Sequence, residues 1–204
     1  GMVTTNDSQV FERLAMFRNH GTWRTPDKMD RNEGPWWYEM HELGFNYRLS
    51  DIHAALGSSQ LGKLDRFVQR RREIASLYKT LLTGHPHVLA LQEEREGCRN
   101  SYHLVVTLLD YKASGISRKA LMEWLSSVGI FTQVHYIPVN RHPYYIKEQP
   151  GEQDRTPNAD WYYAHTLSIP VFPTMTDEDV QYVACQILTA LSGCPLVSGV
   201  PFEV

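Results

Sequence analysis

The sequence predicts an α+β fold in which a small β-sheet is covered by helices on one face. Long stretches carry apolar residues at helical spacing, and between them lie short, nearly continuous apolar runs that are typical of strands. The predicted order is a short strand, a helix, a long loop and a long helix, followed by β-β-α-β-α-α. This order suggests an α+β domain. The 204 residues are 42% hydrophobic and 21% charged, which is ordinary for a globular protein.

The N-terminal part is predicted to begin with a short strand over residues 2–5 and a helix over residues 9–19. In that helix Val10, Leu14 and Phe17 recur at helical spacing and form one apolar face.

Residues 21–45 have no sustained period and are predicted to form a long loop rich in aromatic residues. The loop contains Trp36, Trp37 and Tyr38. A loop of this length is uncommon in a compact domain unless it has a function. The tryptophans could cover an edge of the core, but exposed tryptophan pairs usually mark contact surfaces. We therefore expect a binding or interface role.

A second helix is expected to start after Ser50 and to be interrupted at Gly57. The amphipathic stretch 58–83 that follows is predicted as one long linking helix. The run of three arginines at 70–72 lies mostly off its apolar stripe. We interpret this run as a solvated face.

The C-terminal part is predicted to hold the sheet. Residues 88–91 and 102–109 are typical of strands, the second one central, and residues 130–135 are expected to add a third. Three helices are predicted to begin at the capping residues Ser117, Asn158 and Thr176. Residues 193–204 are expected to be irregular.

Composition and charge argue against several classes of protein. The net charge of −3, from 20 basic and 23 acidic residues, gives no basic excess for nucleic-acid binding. No apolar run is long enough to span a bilayer, and no secretory signal pattern is visible. Membrane and nucleic-acid partners are therefore not expected.

The cysteines and histidines form no recognisable ligand pattern. Cys98, Cys185 and Cys194 include no C-x-x-C pair, and the nine histidines show no metal-binding spacing. No metal ligand is predicted. The sparse cysteines favour reduced thiols and a cytoplasmic location.

Several ordered motifs then connect the chain to a known family. The stretch LGFNYRLSDIHAALGSSQLGKLD, residues 43–65, resembles the signature of the DegT/DnrJ/StrS aminotransferases. Residues 32–40 look most like the branch that aminates a UDP-linked 4-keto-6-deoxy sugar on the way to pseudaminic acid. Further matches follow in order: RREIA (71–75), VHYIP (134–138), HPYY (142–145), PNA (157–159) and LSIP (167–170) before Phe172-Pro173.

The resemblance implies a fold, a cofactor and a reaction. The fold is the aspartate-aminotransferase-like fold type I, and the cofactor is pyridoxal phosphate, which acts as an electron sink. The family transfers an amino group, usually from glutamate, to a nucleotide-linked keto sugar, here expected at C4, and works as a dimer. On this basis residues 1–57 are a remnant of the large domain with a loop that acts in trans, 58–83 link it, and 84–192 are the small domain.

The resemblance also implies that the cofactor lysine lies outside this chain. In the family that lysine precedes a Gly-Gly and a short strand, and Gly1 with residues 2–5 resembles the second glycine and the strand. The six lysines of the chain have no matching context. No catalytic residue is therefore assigned, pyridoxal phosphate is not expected to bind covalently, and the chain alone is expected to be inactive. These lysines are Lys28, Lys63, Lys79, Lys112, Lys119 and Lys147.

Six residues are expected to contact cofactor or substrate by this resemblance. Asn46 is expected to reach the cofactor phosphate of the partner subunit, and Arg48 to pair with a phosphate or pyrophosphate. Each also has a simpler interpretation, a turn residue for Asn46 and an interfacial ion pair for Arg48. His135, Tyr136, His142 and Tyr144 are expected to line the sugar-nucleotide pocket. Asn140 stands where the family often has histidine, and Phe45 replaces the commoner tyrosine.

Two other functions remain open from sequence. The chain could be a non-catalytic module for sugar-nucleotide binding or dimerisation. Binding of nucleic acid through Trp36, Trp37 and the arginines at 70–72 is disfavoured by the acidic balance. The one-sided apolar helices at 9–19 and 50–82 predict self-association.

Overall fold

The computed structural model describes residues 2–151 and 155–193, in two compact units, Gly1–Gly62 and Lys63–Val204. Gly1, Cys194 and the predicted irregular tail beyond Gly193 lie outside the described residues. Within those ranges, no helix has both the length and the apolar character that crossing a bilayer requires.

The first unit opens with helix α1 (Ser8–Phe17), close to the predicted helix. The Asp7 carboxylate caps it by accepting hydrogen bonds from the amides of Gln9 and Val10. Residues 2–5, predicted as a strand, form none. The reason is that a short β-prone segment needs a neighbouring strand to complete its hydrogen bonds, and none pairs with it here.

The long loop of the first unit contains a small hairpin. Strands β1 (Thr22–Trp23) and β2 (Glu39–Met40) pair antiparallel, and a 3₁₀ turn (Pro26–Lys28) lies between them. Trp36 is 71% exposed, whereas Trp37 is half-buried and donates to the Glu39 Oε1 at 3.2 Å. The contact role of this loop stays a prediction.

The predicted linking helix is wrong in its bounds. Helix α2 (Asp51–Leu61) runs through Gly57, and helix α3 (Leu64–Leu82) follows after a break at Gly62 and Lys63. A glycine inside a helix costs only about 1 kcal/mol, so Gly57 alone does not end one. The boundary between the units falls at this break.

The second unit contains an antiparallel sheet in the order β3-β4-β5. Strands β3 (Val88–Leu91) and β4 (Val105–Leu109) confirm the two predicted strands, although β4 starts later than expected. The third strand is β5 (Thr166–Ile169), which the sequence analysis missed. Residues 130–135 were predicted as that strand but contribute only an isolated bridge between Gln133 and Ser168.

The second unit is completed by helices whose starts follow local caps. Ser117 caps α5 (Arg118–Ser127), and Thr176 forms a capping box with Asp179 at the start of α8 (Asp177–Leu191), as predicted. Helix α7 (Pro157–His165) begins after Thr156 and not at the predicted cap Asn158, and the Thr156 side chain makes no capping hydrogen bond. The helices after β4 are α4 (Tyr111–Ser114), α5 (Arg118–Ser127), α6 (Pro143–Glu148), α7 (Pro157–His165) and α8 (Asp177–Leu191), with a 3₁₀ turn at Val139–Arg141.

The core lies on one face of this sheet. Val105 pairs with Ile169 and Thr107 with Leu167, so these side chains share a face. Val105, Leu167 and Ile169 belong to one cluster of buried apolar residues with helices α3, α5 and α8, which confirms the expected α+β arrangement. From the helices, this cluster includes Ile74, Tyr78 and Leu82, Leu121 and Leu125, and Val180, Ala184 and Ile187.

The arginine run is not the solvated face that we expected. Arg70 donates to the carbonyl of Met175 at 2.7 and 3.2 Å, and Arg71 reaches the carbonyl of Tyr102 at 3.4 Å. Arg72 forms a two-pronged ion pair with Glu94 at 2.7 and 2.8 Å. The run therefore ties α3 to later parts of its own unit, because guanidinium groups suit such forked contacts.

Candidate functional site

The loop that carries Asn46 is held against the end of α1 by backbone hydrogen bonds. The amide of Phe45 donates to the carbonyl of Phe17 at 2.7 Å, and the amide of His20 donates to the carbonyl of Phe45 at 2.8 Å. The amide of Tyr47 donates to the carbonyl of Arg18 at 2.9 Å. These three bonds hold residues 45–47 against residues 17–20.

Two glycines make this close approach possible. A Cβ on Gly44 would lie 2.1 Å from the amide nitrogen of Gly21, and a Cβ on Gly21 would lie 1.8 Å from the carbonyl oxygen of Glu42. Gly21 also has φ +68°, which favours glycine. Both positions therefore require glycine.

Asn46, Arg48 and His20 form one hydrogen-bonded group on this loop. The Arg48 Nε donates to the Asn46 Oδ1 at 3.1 Å, and its Nη2 lies 2.9 Å from the His20 Nε2. Because a guanidinium can only donate, His20 must accept at Nε2 and carry its proton on Nδ1. The motif predicts Asn46 and Arg48 as separate phosphate contacts, and it does not predict His20.

The arrangement leaves hydrogen-bond donors of the group without a partner among the described residues. Since Asn46 accepts through Oδ1, its amide Nδ2 is a donor, and it has no protein partner in the described part of the chain. Arg48 pairs with no carboxylate in that part of the chain, and the interfacial ion-pair interpretation, which needs a partner subunit, stays a prediction. A guanidinium, an amide and an imidazole N–H together suit an anionic oxygen such as a phosphate.

Glu39 is the hydrogen-bond centre of the preceding hairpin. Burial alone would raise the pKa of its carboxyl group, but four hydrogen bonds outweigh this and lower the pKa to about 2. The donors are the His41 and Trp37 side chains and the amides of Asp30 and Arg31.

Asp30, Glu39 and His41 also offer potential metal-ligand atoms within 4.8 Å of one another. The Glu39 oxygens are already occupied by these four donors. These hydrogen bonds stabilise the hairpin, and this role accounts for the clustering of the three residues.

In the second unit, His135 and Tyr136 contact each other. Their rings are 4.7 Å apart in an edge-to-face arrangement, and the peptide bond between them is cis. The His135 Nδ1 lies 2.8 Å from the Ser168 Oγ, whereas its Nε2 has no partner among the described residues. Tyr136 is 72% exposed. One edge of the imidazole is thus held by the protein and the other is open.

His142 and Tyr144 lie on the next segment of the chain. His142 is the residue before α6, and Tyr144 lies within α6 with its ring 5.2 Å from that of Tyr145. Within residues 2–151 and 155–193, no hydrogen bond or ring contact connects either residue to His135. Asn140, where the family often has histidine, donates to the Thr156 Oγ1 at 2.8 Å.

Comparison with known proteins identifies the family. The model of the DegT/DnrJ/EryC1/StrS aminotransferase family matches residues 1–188. The chain belongs to this family. Pyridoxal phosphate is the cofactor of these aminotransferases.

Individual relatives support this family assignment. SpsC of Bacillus subtilis, a spore coat polysaccharide biosynthesis protein, is 36% identical over 184 residues, 90% of this chain and 47% of its own length. PseC of Helicobacter pylori, an aminotransferase involved in the biosynthesis of pseudaminic acid, superposes with a TM-score of 0.79 at 28% identity, covering 92% of this chain and 47% of PseC. A putative sugar aminotransferase of Streptococcus pneumoniae, solved in its PMP form, gives a TM-score of 0.77 at 25% identity over 92% of this chain and 46% of that protein.

These matches cover only part of the family fold. The chain spans about half the length of the curated relatives it matches, 46% and 47%. The structural similarity to PseC confirms the predicted fold class, an α+β portion of the pyridoxal-phosphate aminotransferase fold.

The six lysines of this family member all lie at least partly in solvent. Lys28 pairs with Glu12 and stacks over Trp23 with its Nζ 4.6 Å from the ring centre. Lys79 lies 3.3 Å from Glu93. Among the described residues of the first unit, His20, Asn46 and Arg48 offer hydrogen-bond donors that suit the phosphate of the family cofactor.

Proposed function

We propose that this chain forms the C-terminal portion of an aminotransferase that transfers an amino group, from glutamate, to C4 of a nucleotide-linked keto-deoxy sugar. The observation that carries the proposal is the group of His20, Asn46 and Arg48, which presents donors for an anionic oxygen on a fixed loop. Membership of the aminotransferase family supports the reaction class. When bound, pyridoxal phosphate supplies the electron sink for amino transfer.

In this proposal the first unit holds the cofactor phosphate of a partner subunit. Asn46 donates from Nδ2, and Arg48 orients that amide and adds positive charge. His20 keeps the Arg48 side chain in place. The loop acts in trans, so the functional assembly is a homodimer.

The second unit contributes to the sugar-nucleotide pocket. His135 offers its open Nε2, and Tyr136 offers an exposed ring beside it. His142 and Tyr144 are assigned to the same pocket by their motif. The proposed domain boundary moves from residue 57 to the break after Gly62, and Lys63–Val204 then hold the small domain.

The substrate is proposed to be a UDP-linked 4-keto-6-deoxy sugar. The similarity to PseC, which acts in pseudaminic acid biosynthesis, and the motif at residues 32–40 support this choice. SpsC acts in polysaccharide biosynthesis, which is compatible with a nucleotide-sugar substrate. The free thiols of Cys98 and Cys185 support a cytoplasmic location.

The proposal places the cofactor lysine outside these 204 residues. It predicts that the chain alone, mixed with pyridoxal phosphate, shows neither the absorbance of a lysine-bound cofactor nor amino transfer. Co-expression with the N-terminal half of a family member should restore both. In the co-expressed enzyme, Asn46→Ala should weaken cofactor binding about tenfold or more, the loss of one charge-assisted hydrogen bond.

Borohydride treatment followed by peptide mapping makes this test decisive. It should label a lysine of the N-terminal half and none of this chain. A specific adduct on one of the six lysines present here would overturn the proposal. Nucleotide-sugar binding that persists without any activity in the co-expressed pair would instead favour a non-catalytic module.

Self-association is predicted from the exposed apolar surface of the first unit. Ile52 on α2 is 81% exposed, and sedimentation should show oligomers at micromolar concentration because burying such side chains is favourable. Ile52→Glu should shift the chain toward monomer, and a strictly monomeric wild-type chain would contradict the prediction. Between residues 36 and 61, the other large exposed apolar residues are Trp36, Tyr38, Met40, Leu43, Phe45, Tyr47, Leu49, Leu56 and Leu61.

A further inference from the structure

Ser168 occupies an unusual position behind His135. It lies on β5, where side chains alternate, so it points away from the core face occupied by Leu167 and Ile169. Its residue surface is only 4% exposed. The Ser168 Oγ lies 2.8 Å from the His135 Nδ1, and in the described ranges this is the only hydrogen bond of the hydroxyl.

The backbone reinforces this contact. The amide of Ser168 donates to the carbonyl of Gln133 at 2.8 Å, and the amide of Gln133 donates to the carbonyl of Ser168 at 3.1 Å. The same serine thus anchors both the imidazole ring and the chain segment two residues before it. The ring position is thereby tied to strand β5.

The direction of the hydrogen bond follows from the donors available. If the His135 Nδ1 donated to Ser168, the buried hydroxyl proton would have no acceptor among the described residues, at a cost of about 1–3 kcal/mol. If the Ser168 hydroxyl donates to the His135 Nδ1, its proton has an acceptor and only a lone pair of the oxygen stays unused. The hydroxyl is therefore the favoured donor.

We propose that Ser168 is a positioning residue that holds neutral His135 with its proton on Nε2. A ring whose Nδ1 accepts a hydrogen bond must carry that proton on the other nitrogen. His135 then presents an N–H donor on its open side and is unable to accept a proton there. A donor at this point recognises an oxygen acceptor, and, if the proposed function holds, that acceptor is an oxygen of the nucleotide diphosphate.

The proton position is measurable in the whole chain without any ligand. Nitrogen-15 NMR of histidine-labelled protein at neutral pH should show His135 with a protonated Nε2 and an unprotonated, hydrogen-bonded Nδ1. His135→Gln assigns the signal among the nine histidines. Ser168→Ala should convert it to an averaged signal of both forms, and Ser168→Thr, which keeps the hydroxyl, should restore the wild-type pattern.

Thr166 provides the matched control. Its hydroxyl is also buried on β5, two residues away on the same face, but Oγ1 has no hydrogen-bond partner. Thr166→Val should leave the His135 signal unchanged. A wild-type His135 protonated on Nδ1, or a pattern unchanged by Ser168→Ala, would overturn the role of Ser168.

A kinetic measurement separates this inference from the proposed function on which its ligand rests. In the co-expressed enzyme, Ser168→Ala should raise the KM for the nucleotide sugar severalfold and leave kcat nearly unchanged, because His135 acts in binding. A large fall in kcat with an unchanged KM would overturn the donor role. The expected NMR pattern with both constants unchanged would support Ser168 as the residue that holds the ring and overturn the placement of His135 in the pocket.

Discussion

Gly44→Ala is expected to displace the loop that carries Asn46 and Arg48, and to destabilise the first unit by about 3 kcal/mol or more. The added Cβ would lie 2.1 Å from the amide nitrogen of Gly21 and 2.8 Å from the carbonyl oxygen of Phe17. These are backbone atoms, so no side-chain rotation can relieve the overlap. Urea unfolding followed by tryptophan fluorescence should show the loss, because Trp23, Trp36 and Trp37 lie in this unit.

Gly57→Ala is the control for this substitution. Gly57 lies inside α2 and a Cβ there meets nothing within 4 Å. Alanine should therefore stabilise the helix by about 0.5–1 kcal/mol. If Gly44→Ala unfolded at the same urea concentration as the wild type, that result would contradict the close packing of the Asn46 loop against α1. In the co-expressed enzyme, Gly44→Ala should also lose cofactor affinity, as Asn46→Ala does.

Leu167→Ala is expected to produce the second large effect, a loss of about 2–5 kcal/mol in the stability of the second unit. Leu167 lies in the centre of the core, is fully buried and pairs across the sheet with Thr107. Truncation removes apolar contacts and leaves a cavity that a sheet cannot easily close. Circular dichroism during thermal and urea unfolding measures the loss.

Leu89→Ala is the matched control, since the same side chain is removed from a half-exposed position on the other edge strand, β3. Leu89 is 43% exposed, and its truncation should cost less than about 1 kcal/mol. Equal losses for the two variants would contradict the buried position of Leu167. Ser168→Ala, one residue from Leu167 on the opposite face, is also expected to cost far less than Leu167→Ala.

The site was only partly predictable because its residues come from separate segments. The motif at residues 43–65 pointed to Asn46 and Arg48, and the structure joins these two by a hydrogen bond. His20 lies 28 positions before Arg48, and no local sequence pattern predicts its contact with Arg48. The one available signal was the His20-Gly21 pair, whose backbone has positive φ at both residues. The LSIP motif contains Ser168 but does not predict its role, because that role depends on a contact with His135, 33 positions away.

The sequence by itself determined the features that depend on neighbours along the chain. Helix caps such as Ser117 and Thr176, the apolar stripes of α3 and α8, and the ordered family motifs all follow from local spacing. Their energetics involve residues within one or two helical turns, so a linear pattern records them.

Tertiary structure decided the features in which distant segments meet. Residues 166–169 became the third strand by pairing with β4 over four residues, whereas residues 130–135 contact β5 through the single bridge between Gln133 and Ser168. The arginines at 70–72 became internal clamps because carbonyl and carboxylate groups from later in the chain lie within reach. Hydrogen-bonding groups are satisfied wherever the folded chain brings a partner, and sequence spacing does not record that proximity.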